Sequence, residues 1–184
     1  MIAKSIIFIP VFTFLFLFSG SVYGGEPIVK NEYGDNGKLK LQTFWQDTQK
    51  IWEIHYKNGK KEGRGTQWYQ SGQKKSEIHY KNGKKEGRGT QWYQSGQKVL
   101  EYHYRDDERH GIGKSWHPNG RKSFIAHYKN GLWDGMVIEW YPSGKKKSTS
   151  HYENGKANGF RKEWDENGKL TFQGNFVDGN EVLE

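Results

Sequence analysis

Short runs in which apolar and polar side chains alternate recur along most of the chain. In one such run, Ser76, Ile78 and Tyr80 are separated by Glu77 and His79. Alternation with a period of two is typical of a β-strand that buries one face and exposes the other. No stretch shows a sustained 3.6-residue period, so the pattern predicts strands and no crossover helices.

The runs belong to a repeat of 24 residues. Residues 53–74 recur unchanged as residues 77–98, and diverged copies continue almost to the C-terminus. One column with this spacing is aromatic at every unit: Tyr56, Tyr80, Tyr104, Tyr128, Tyr152 and Phe176. Another is tryptophan: Trp68, Trp92, Trp116, Trp140 and Trp164. A fixed period with recurring aromatic and glycine positions indicates an array in which each unit packs on its neighbours.

Each unit contains two predicted strands and two turns. Asn-Gly pairs such as Asn58-Gly59 recur at one end of the unit, and pairs such as Ser71-Gly72 recur at the other. These residues supply the positive φ that tight hairpin connections require. The sequence therefore predicts an all-β fold, a repeat array of antiparallel β-hairpins that form an elongated, twisted, single-layer meander sheet.

Three local expectations follow from departures within the repeat. The turn at Asp106-Asp107, which lacks glycine, is expected to be wider or less ordered than the others. Burial should decrease in the fifth copy, where Ser148 and Ser150 replace apolar residues. Glycines in the second strand, such as Gly89, should allow bending or a close approach of another group.

The array has an irregular beginning. Residues 25–51 form a degenerate N-terminal entry or capping repeat, in which Phe44 takes the place of Trp68 and Trp45 the place of Tyr69, one period earlier. Atypical end units are expected in repeat arrays because they cover a face that a neighbour would otherwise cover. Residues 52–180 form the regular array, and residues 181–184 form a short acidic tail.

Residues 1–24 have the pattern of an export signal. Lys4 precedes an apolar run from residue 6 to 18, which is followed by small residues and a plausible cleavage site after Gly24. The alternative is an uncleaved membrane anchor, for which this 13-residue run, interrupted at Pro10, is short compared with the roughly 20 residues of a membrane span. We therefore expect a periplasmic or secreted bacterial protein.

Composition narrows the range of functions. The chain is 33% hydrophobic but 16% aromatic, with 24 glycines and no cysteine, which suits a thin β array and excludes thiol chemistry. Without residues 1–24 the formal charge of +8 becomes +7, which favours anionic partners such as acidic glycan, phospholipid or an acidic protein. The alternative is that lysine keeps a single sheet soluble and its edges unpaired. An exported chain rarely meets nucleic acid, so we do not expect that partner.

The recurring motif is Tyr-x-Asn-Gly-Lys-x-x-Gly, followed by Trp-Tyr-x-x-Gly-x-Lys and an aliphatic residue before the next tyrosine. Over residues 31–180 it resembles the MORN repeat variant, and in particular the YwqK-type antitoxins of toxin–antitoxin systems. The resemblance implies stacked β-hairpins, binding rather than catalysis, and a toxin as the partner. Those antitoxins usually act in the cytosol, whereas this chain carries a predicted export signal.

Metal and catalytic sites are not expected. His55, His79, His103, His127 and His151 form a column. Their spacing on every second strand, roughly 9–10 Å, is too wide for two of them to bind one zinc ion at about 2 Å. His110 and His117 fall outside the column and form a reserve candidate. Every attractive polar residue recurs through the array, whereas a catalytic site needs one unique constellation; we expect no enzyme activity and no cofactor.

The residues that we predict as a binding surface form an aromatic column directly after the tryptophans: Trp45, Tyr69, Tyr93, His117 and Tyr141. Such rings can stack against sugars or hold a peptide, and the alternative is that they cover their own sheet. Two functions stay open. The first is an exported protein-interaction module with a protein partner, of which a toxin is one candidate. The second is an envelope-surface binder of glycan or anionic lipid. The sequence leaves the oligomeric state undecided.

Overall fold

The computed structural model describes residues 26–182. The predicted signal peptide and the last two residues of the predicted acidic tail lie outside these residues. The strands, in chain order, are β1 (Ile28–Tyr33), β2 (Leu39–Gln46), β3 (Gln49–Lys57), β4 (Lys60–Trp68), β5 (Lys74–Lys81), β6 (Lys84–Trp92), β7 (Lys98–Arg105), β8 (Glu108–Arg109), β9 (Gly111–Trp116), β10 (Lys122–Lys129), β11 (Leu132–Trp140), β12 (Lys146–Glu153), β13 (Lys156–Ala157), β14 (Gly159–Trp164), β15 (Leu170–Val177) and β16 (Asn180–Val182).

All the strands of residues 26–182 lie in one antiparallel sheet, in which neighbours along the chain are neighbours in the sheet. The short strands β8 and β13 pair with β7 and β12, and β9 and β14 continue beside the same partners. The edges are β1 and β16, which do not pair with each other, so the sheet stays open. The predicted all-β hairpin meander is confirmed. Within residues 26–182 no helix has the length and apolar character needed to cross a membrane.

The Asn-Gly turns are two-residue hairpin connections. Asn58 and Gly59 have φ angles of 52° and 76° and lie between the paired residues Lys57 and Lys60. Positive φ at both central residues defines the type I′ turn, whose twist matches that of the flanking strands. The local sequence therefore sets the register of each hairpin.

The turn at Asp106-Asp107 is not wider than the others, and that expectation was wrong. Asp106 and Asp107 adopt φ angles of 51° and 74°, the same left-handed conformation. Asp is one of the residues that tolerate this region. Contacts with the preceding unit hold the turn, since Lys85 N donates to Asp107 Oδ1 at 2.8 Å and Lys84 Nζ donates to Asp106 Oδ1 at 2.9 Å.

The entry repeat is offset by one residue from the register that the sequence suggested. Trp45 pairs with Lys50 in the way that Trp68 pairs with Lys74, each next to a β-bulge. Trp45 therefore occupies the tryptophan column and not the place of Tyr69. The cause is a shorter turn between β2 and β3, which leaves only Asp47 and Thr48 between the paired residues Gln46 and Gln49.

Phe44 moves to the opposite face as a consequence. It pairs with Trp52, and the two rings are stacked with centroids 5.9 Å apart and an interplanar angle of 4°. The equivalent pair in the next unit is Gln67 with Ser76. The entry repeat thus has two stacked aromatic rings where each regular unit has at least one polar residue.

The two faces of the sheet carry different side chains. Directly paired residues share a face, and one row of such pairs runs Ile54, Gly65, Ile78, Gly89 and Tyr102. We call the face with this row and the tyrosine column the aromatic face. The other, which carries the histidine and tryptophan columns, is the histidine face.

The best-buried part of the described chain lies on the aromatic face at β10 and β11. Ala126, Tyr128 and Val137 are 0%, 6% and 4% exposed, and further aromatic side chains pack on them. Ser150, opposite Val137 on β12, is 6% exposed. The expected loss of burial in the fifth copy is therefore wrong at this position, because a small serine lies beneath large neighbouring rings.

Candidate functional site

A groove of about 490 Å³ lies on the aromatic face over the two identical copies. Its walls combine aromatic and aliphatic side chains with two lysines and short polar residues. The side chains of the aromatic face that line it are Trp52, Ile54, Lys61, Gln67, Ser76, Ile78, Tyr80, Lys85, Gln91, Leu100 and Tyr104. Because β3 to β7 supply these residues, the groove is rigidly positioned by the sheet and not by loops.

Two glycines form the floor of the groove. A Cβ on Gly65 would lie 2.9 Å from the Tyr80 ring, and one on Gly89 would lie 2.9 Å from the Tyr104 ring. Each tyrosine can therefore lie against bare backbone, which confirms the expected close approach. Any larger residue would push the ring away from the sheet and change the shape of the groove.

Two lysines bring positive charge into the groove. Lys61 Nζ lies 5.2 Å from the Tyr80 ring centroid, and Lys85 Nζ lies 5.4 Å from that of Tyr104. Among the described residues neither ammonium group has a carboxylate within ion-pair distance. Desolvation by burial, with a smaller contribution from Asp107, raises the pKa of Tyr80 above its ordinary value. The groove is consequently partly apolar and carries the positive charge of Lys61 and Lys85, while its lining residues Glu53 and Glu77 pair with lysines on the histidine face.

The same positions are filled later in the chain. Trp133 stands in the column of Lys61, and Val137 stands in the column of Gly65. The Trp133 ring lies 4.8 Å from that of Tyr152 and 5.9 Å from that of Phe124, measured between centroids. This part of the aromatic face forms the core.

Between the groove and the core, Arg109 links neighbouring rings. Its guanidinium carbon lies 4.2 Å from the Tyr102 ring centroid and 5.6 Å from that of Tyr128. Burial raises the pKa of Tyr102 to about 12. A Cβ on Gly113 would meet both rings, at 2.5 Å and 2.8 Å. This region is therefore packed too closely to accept a ligand.

A second depression of about 400 Å³ lies beside the core, where Trp133, Val137 and Tyr152 line it together with residues of β14 and β15. Four of its five charged side chains form ion pairs: Lys147 Nζ lies 3.3 Å from Glu139, and Arg161 pairs with Glu163. The fifth, Asp165, accepts hydrogen bonds from the backbone N–H groups of Asn167 and Lys169. Both cations of this depression are thus compensated, in contrast to the lysines of the groove.

The histidine face is held together by internal pairs. Lys74 Nζ donates to Glu77 Oε2 at 2.7 Å and lies 5.4 Å from the Trp92 ring centroid. The hydrogen bond from Lys74 lowers the pKa of Glu77. Lys98, Glu101 and Trp116 repeat this arrangement. The tryptophan column is therefore half-buried under lysines, on the face opposite the tyrosine column.

The predicted binding column has a structural role in four of its five members. Tyr69 Oη donates to the carbonyl of Trp92 at 2.8 Å. Tyr93 and Tyr141 do the same to the tryptophan of the following unit, at 3.1 and 2.9 Å, and His117 Nε2 lies 2.8 Å from the corresponding carbonyl. Trp45 stands apart, since its Nε1 donates to Thr43 Oγ1 at 2.9 Å. Ligand binding by this column stays a prediction.

The histidine column has separate local partners. His55 Nε2 lies 3.9 Å from Glu53, while His79 Nδ1 and His151 Nδ1 lie 3.3 and 2.9 Å from backbone carbonyl oxygens. Within residues 26–182 no three His, Asp or Glu side chains are grouped closely enough to hold a metal ion. His110 and His117 form no such group there either.

Sequence reasoning did not identify Lys61 and Lys85 as site residues. The predicted binding surface was a column of aromatic residues, and lysine is a residue type that usually faces solvent. The signal was present in their column, which continues with Arg109, Trp133 and Ala157. A column that changes from cation to aromatic between units indicates a buried or partly buried position.

Comparison with known proteins supports the repeat assignment. Four segments, residues 61–82, 109–130, 133–154 and 158–178, match the model of the MORN repeat variant. Each runs through a second strand, the following glycine turn and the next first strand. No curated protein matched the chain. These four segments are thus similar to MORN variant repeats, which agrees with the open sheet of stacked hairpins.

Proposed function

We propose that the protein is a non-catalytic binding module that holds a protein partner in the groove over residues 52–104. The observation that carries this proposal is the combination of two unpaired lysines with an apolar wall in one rigid depression. Apolar depressions with a few placed polar groups are the usual form of binding sites. MORN repeats commonly mediate binding, which supports a module of this kind.

The groove defines the chemistry of the partner. Aliphatic and aromatic side chains fit between Trp52, Ile78 and Leu100, while Lys61 and Lys85 attract carboxylates. A segment that presents apolar residues beside aspartate or glutamate satisfies both requirements. The positive formal charge of the chain attracts such a partner at long range as well.

We place this activity outside the cytoplasm, in the periplasm or the surrounding medium, because residues 1–24 have the pattern of an export signal. An antitoxin-like role is one form of the proposal, since the motif resembles that of YwqK-type antitoxins. In that case the partner is an exported or envelope-acting toxin.

The alternative is a binder of anionic glycan or lipid that uses the lysine-rich turns. Lys145, Lys146 and Lys147 form the most basic of these turns. However, their ammonium groups contact the Asn167 carbonyl, the Trp164 ring and Glu139. The Asn167 carbonyl and the Glu139 carboxylate reduce the charge that Lys145 and Lys147 offer to a surface, whereas the groove lysines contact tyrosine rings and have no carboxylate partner among the described residues.

The test is capture from an envelope extract with the wild-type chain and with a Lys61→Glu/Lys85→Glu variant. We expect the wild type to retain one stoichiometric protein. The variant should capture at least tenfold less of that protein. The matched control is Lys57→Glu/Lys81→Glu, which changes the net charge equally at exposed sites on the histidine face. This control should bind as the wild type does.

Vesicles of anionic phospholipid and an acidic polysaccharide serve as the second set of probes. Binding to either that falls steeply with salt and is equally weakened by both double variants would support the alternative. Retention of the partner by the Lys61→Glu/Lys85→Glu variant would contradict the proposed groove.

A further inference from the structure

The outer edge of β1 is free to pair with another strand. Within residues 26–182, β1 pairs with β2 on one side and no strand lies on its other side. The strand has six residues, so it presents a longer edge than β16, which has three. An unpaired row of backbone N–H and C=O groups is a template for strand addition.

The edge also carries exposed apolar side chains. Ile28, Val29 and Tyr33 are 48%, 50% and 61% exposed. Val29 pairs with Phe44, which stacks on Trp52, so Val29 lies on the aromatic face at the end of its aromatic contacts. Alternation places Asn31 and Tyr33 on the same face.

We infer that the occupant of this edge is the β1 strand of a second copy of the chain, antiparallel to the first, with Asn31 opposite Asn31. In this register Lys30 of each copy lies opposite Glu32 of the other, and Val29 lies opposite Tyr33. Opposite charges and apolar–aromatic pairs directly across two strands are stabilising. The pairing thus forms two ion pairs and two apolar pairs symmetrically.

Neighbouring registers are excluded by charge. A shift in either direction that keeps each face continuous must move the pairing by two residues. A shift by two residues in one direction puts Lys30 opposite Lys30, and the same shift in the other direction puts Glu32 opposite Glu32. Neither register keeps the two Lys30–Glu32 ion pairs. Charges on an edge strand deter most partners, and here they select the strand's own sequence in one register.

The arrangement is a closed dimer. A two-fold axis perpendicular to the sheet relates the two copies, so the interface is isologous. The β1 edge of each copy is then paired and cannot bind a further strand. The two aromatic faces then lie on the same side of one continuous sheet, and the two grooves face the same way. The five residues 29–33 of each strand that pair in this register form a small contact compared with the interfaces of stable complexes, so the dimer should dissociate on dilution.

Charge exchange tests the pairing directly. Sedimentation of the purified full chain over a range of concentrations should give a monomer–dimer equilibrium. Lys30→Glu and Glu32→Lys should each weaken the dimer by about tenfold or more, because each creates two like-charge pairs. The double variant Lys30→Glu/Glu32→Lys restores both ion pairs and should return the dissociation constant to within about threefold of the wild type.

Lys57→Glu is the matched control for charge, and it should leave the equilibrium unchanged. Thermal unfolding of each variant shows whether the sheet is intact. A monomer at every concentration, a dimer insensitive to both single variants, or a double variant as weak as the singles would overturn the inference. So would assemblies that grow without limit, which would indicate pairing of β1 with β16.

Discussion

The groove over residues 52–104 and the core over residues 124–152 are built on the same hairpins, yet among the described residues only the core has buried apolar side chains. The difference lies in two columns. In the first region these hold Lys61 with Gly65 and Lys85 with Gly89, and in the second they hold Trp133 with Val137. Glycine lets the next tyrosine lie flat, and lysine keeps charge at the rim; tryptophan and valine fill that space instead.

The comparison separates two tasks of a thin repeat sheet, which are to stabilise the fold and to present a surface for binding. A single-layer sheet has little interior. Among the described residues only three apolar side chains are buried, and all three belong to the core over residues 124–152. Stability should therefore concentrate there, while the identical copies retain an accessible apolar surface. The backbone repeat itself does not decide which task a unit performs.

The largest expected effect is that of Trp133→Ala. The change removes ring contacts with Phe124 and Tyr152 and leaves a cavity beside Val137, so we expect a loss of about 3 kcal/mol in the free energy of unfolding. The matched change in the open region is Lys85→Ala, which removes one cation–π contact and should cost less than about 1 kcal/mol. Urea denaturation followed by circular dichroism measures both.

Equal losses from Trp133→Ala and Lys85→Ala would remove the distinction between core and groove. A loss that appears as a separate early transition would instead show that the repeats unfold in parts, as nearest-neighbour arrays can. In that case the transition assigned to β10–β12 should carry the effect.

The second effect tests the floor of the groove. Gly89→Ala places a Cβ at 2.9 Å from the Tyr104 ring, and the ring must shift to accept it. We expect a cost of about 1–2 kcal/mol, since overpacking typically has this size, together with weaker partner capture. Gly34→Ala is the control, because its Cβ would meet its nearest neighbour at an ordinary 3.5 Å. A stabilised Gly89→Ala chain would show that the tyrosine is not held against the sheet.

The strands, most of the hairpins and their order in the sheet could be predicted from the sequence, whereas the register of the entry repeat and the burial of single residues could not. Alternation and Asn-Gly turns act over a few residues, so the strands and hairpins were correct. The 24-residue period predicted the wrong register at Trp45, because the turn between β2 and β3 is one residue shorter than the later turns and the residue types do not reveal this. It also failed at Ser150, whose burial depends on side chains supplied by neighbouring strands.

The candidate site shows the same limit. Aromatic residues drew attention to the column of Tyr69, but the sequence does not show that its hydroxyl reaches a carbonyl 23 residues later. Lys61 was overlooked because its neighbour, the Tyr80 ring, belongs to the following unit. In a repeat array, the chemistry of a position is set by the adjacent units as much as by its own.

The smallest expected effect concerns whether the column of Tyr69 supports the array or binds a ligand. Tyr93→Phe removes the hydrogen bond from Tyr93 Oη to the carbonyl of Trp116, which measures 3.1 Å, and should cost about 1 kcal/mol. Tyr33→Phe, at a side chain that is 61% exposed, should cost almost nothing. If Tyr93→Phe leaves stability unchanged but weakens binding to polysaccharide, the column is a binding surface and the open region extends to the turn edge. A loss of stability alone assigns these rings to the array, and leaves the groove as the surface where the two regions differ.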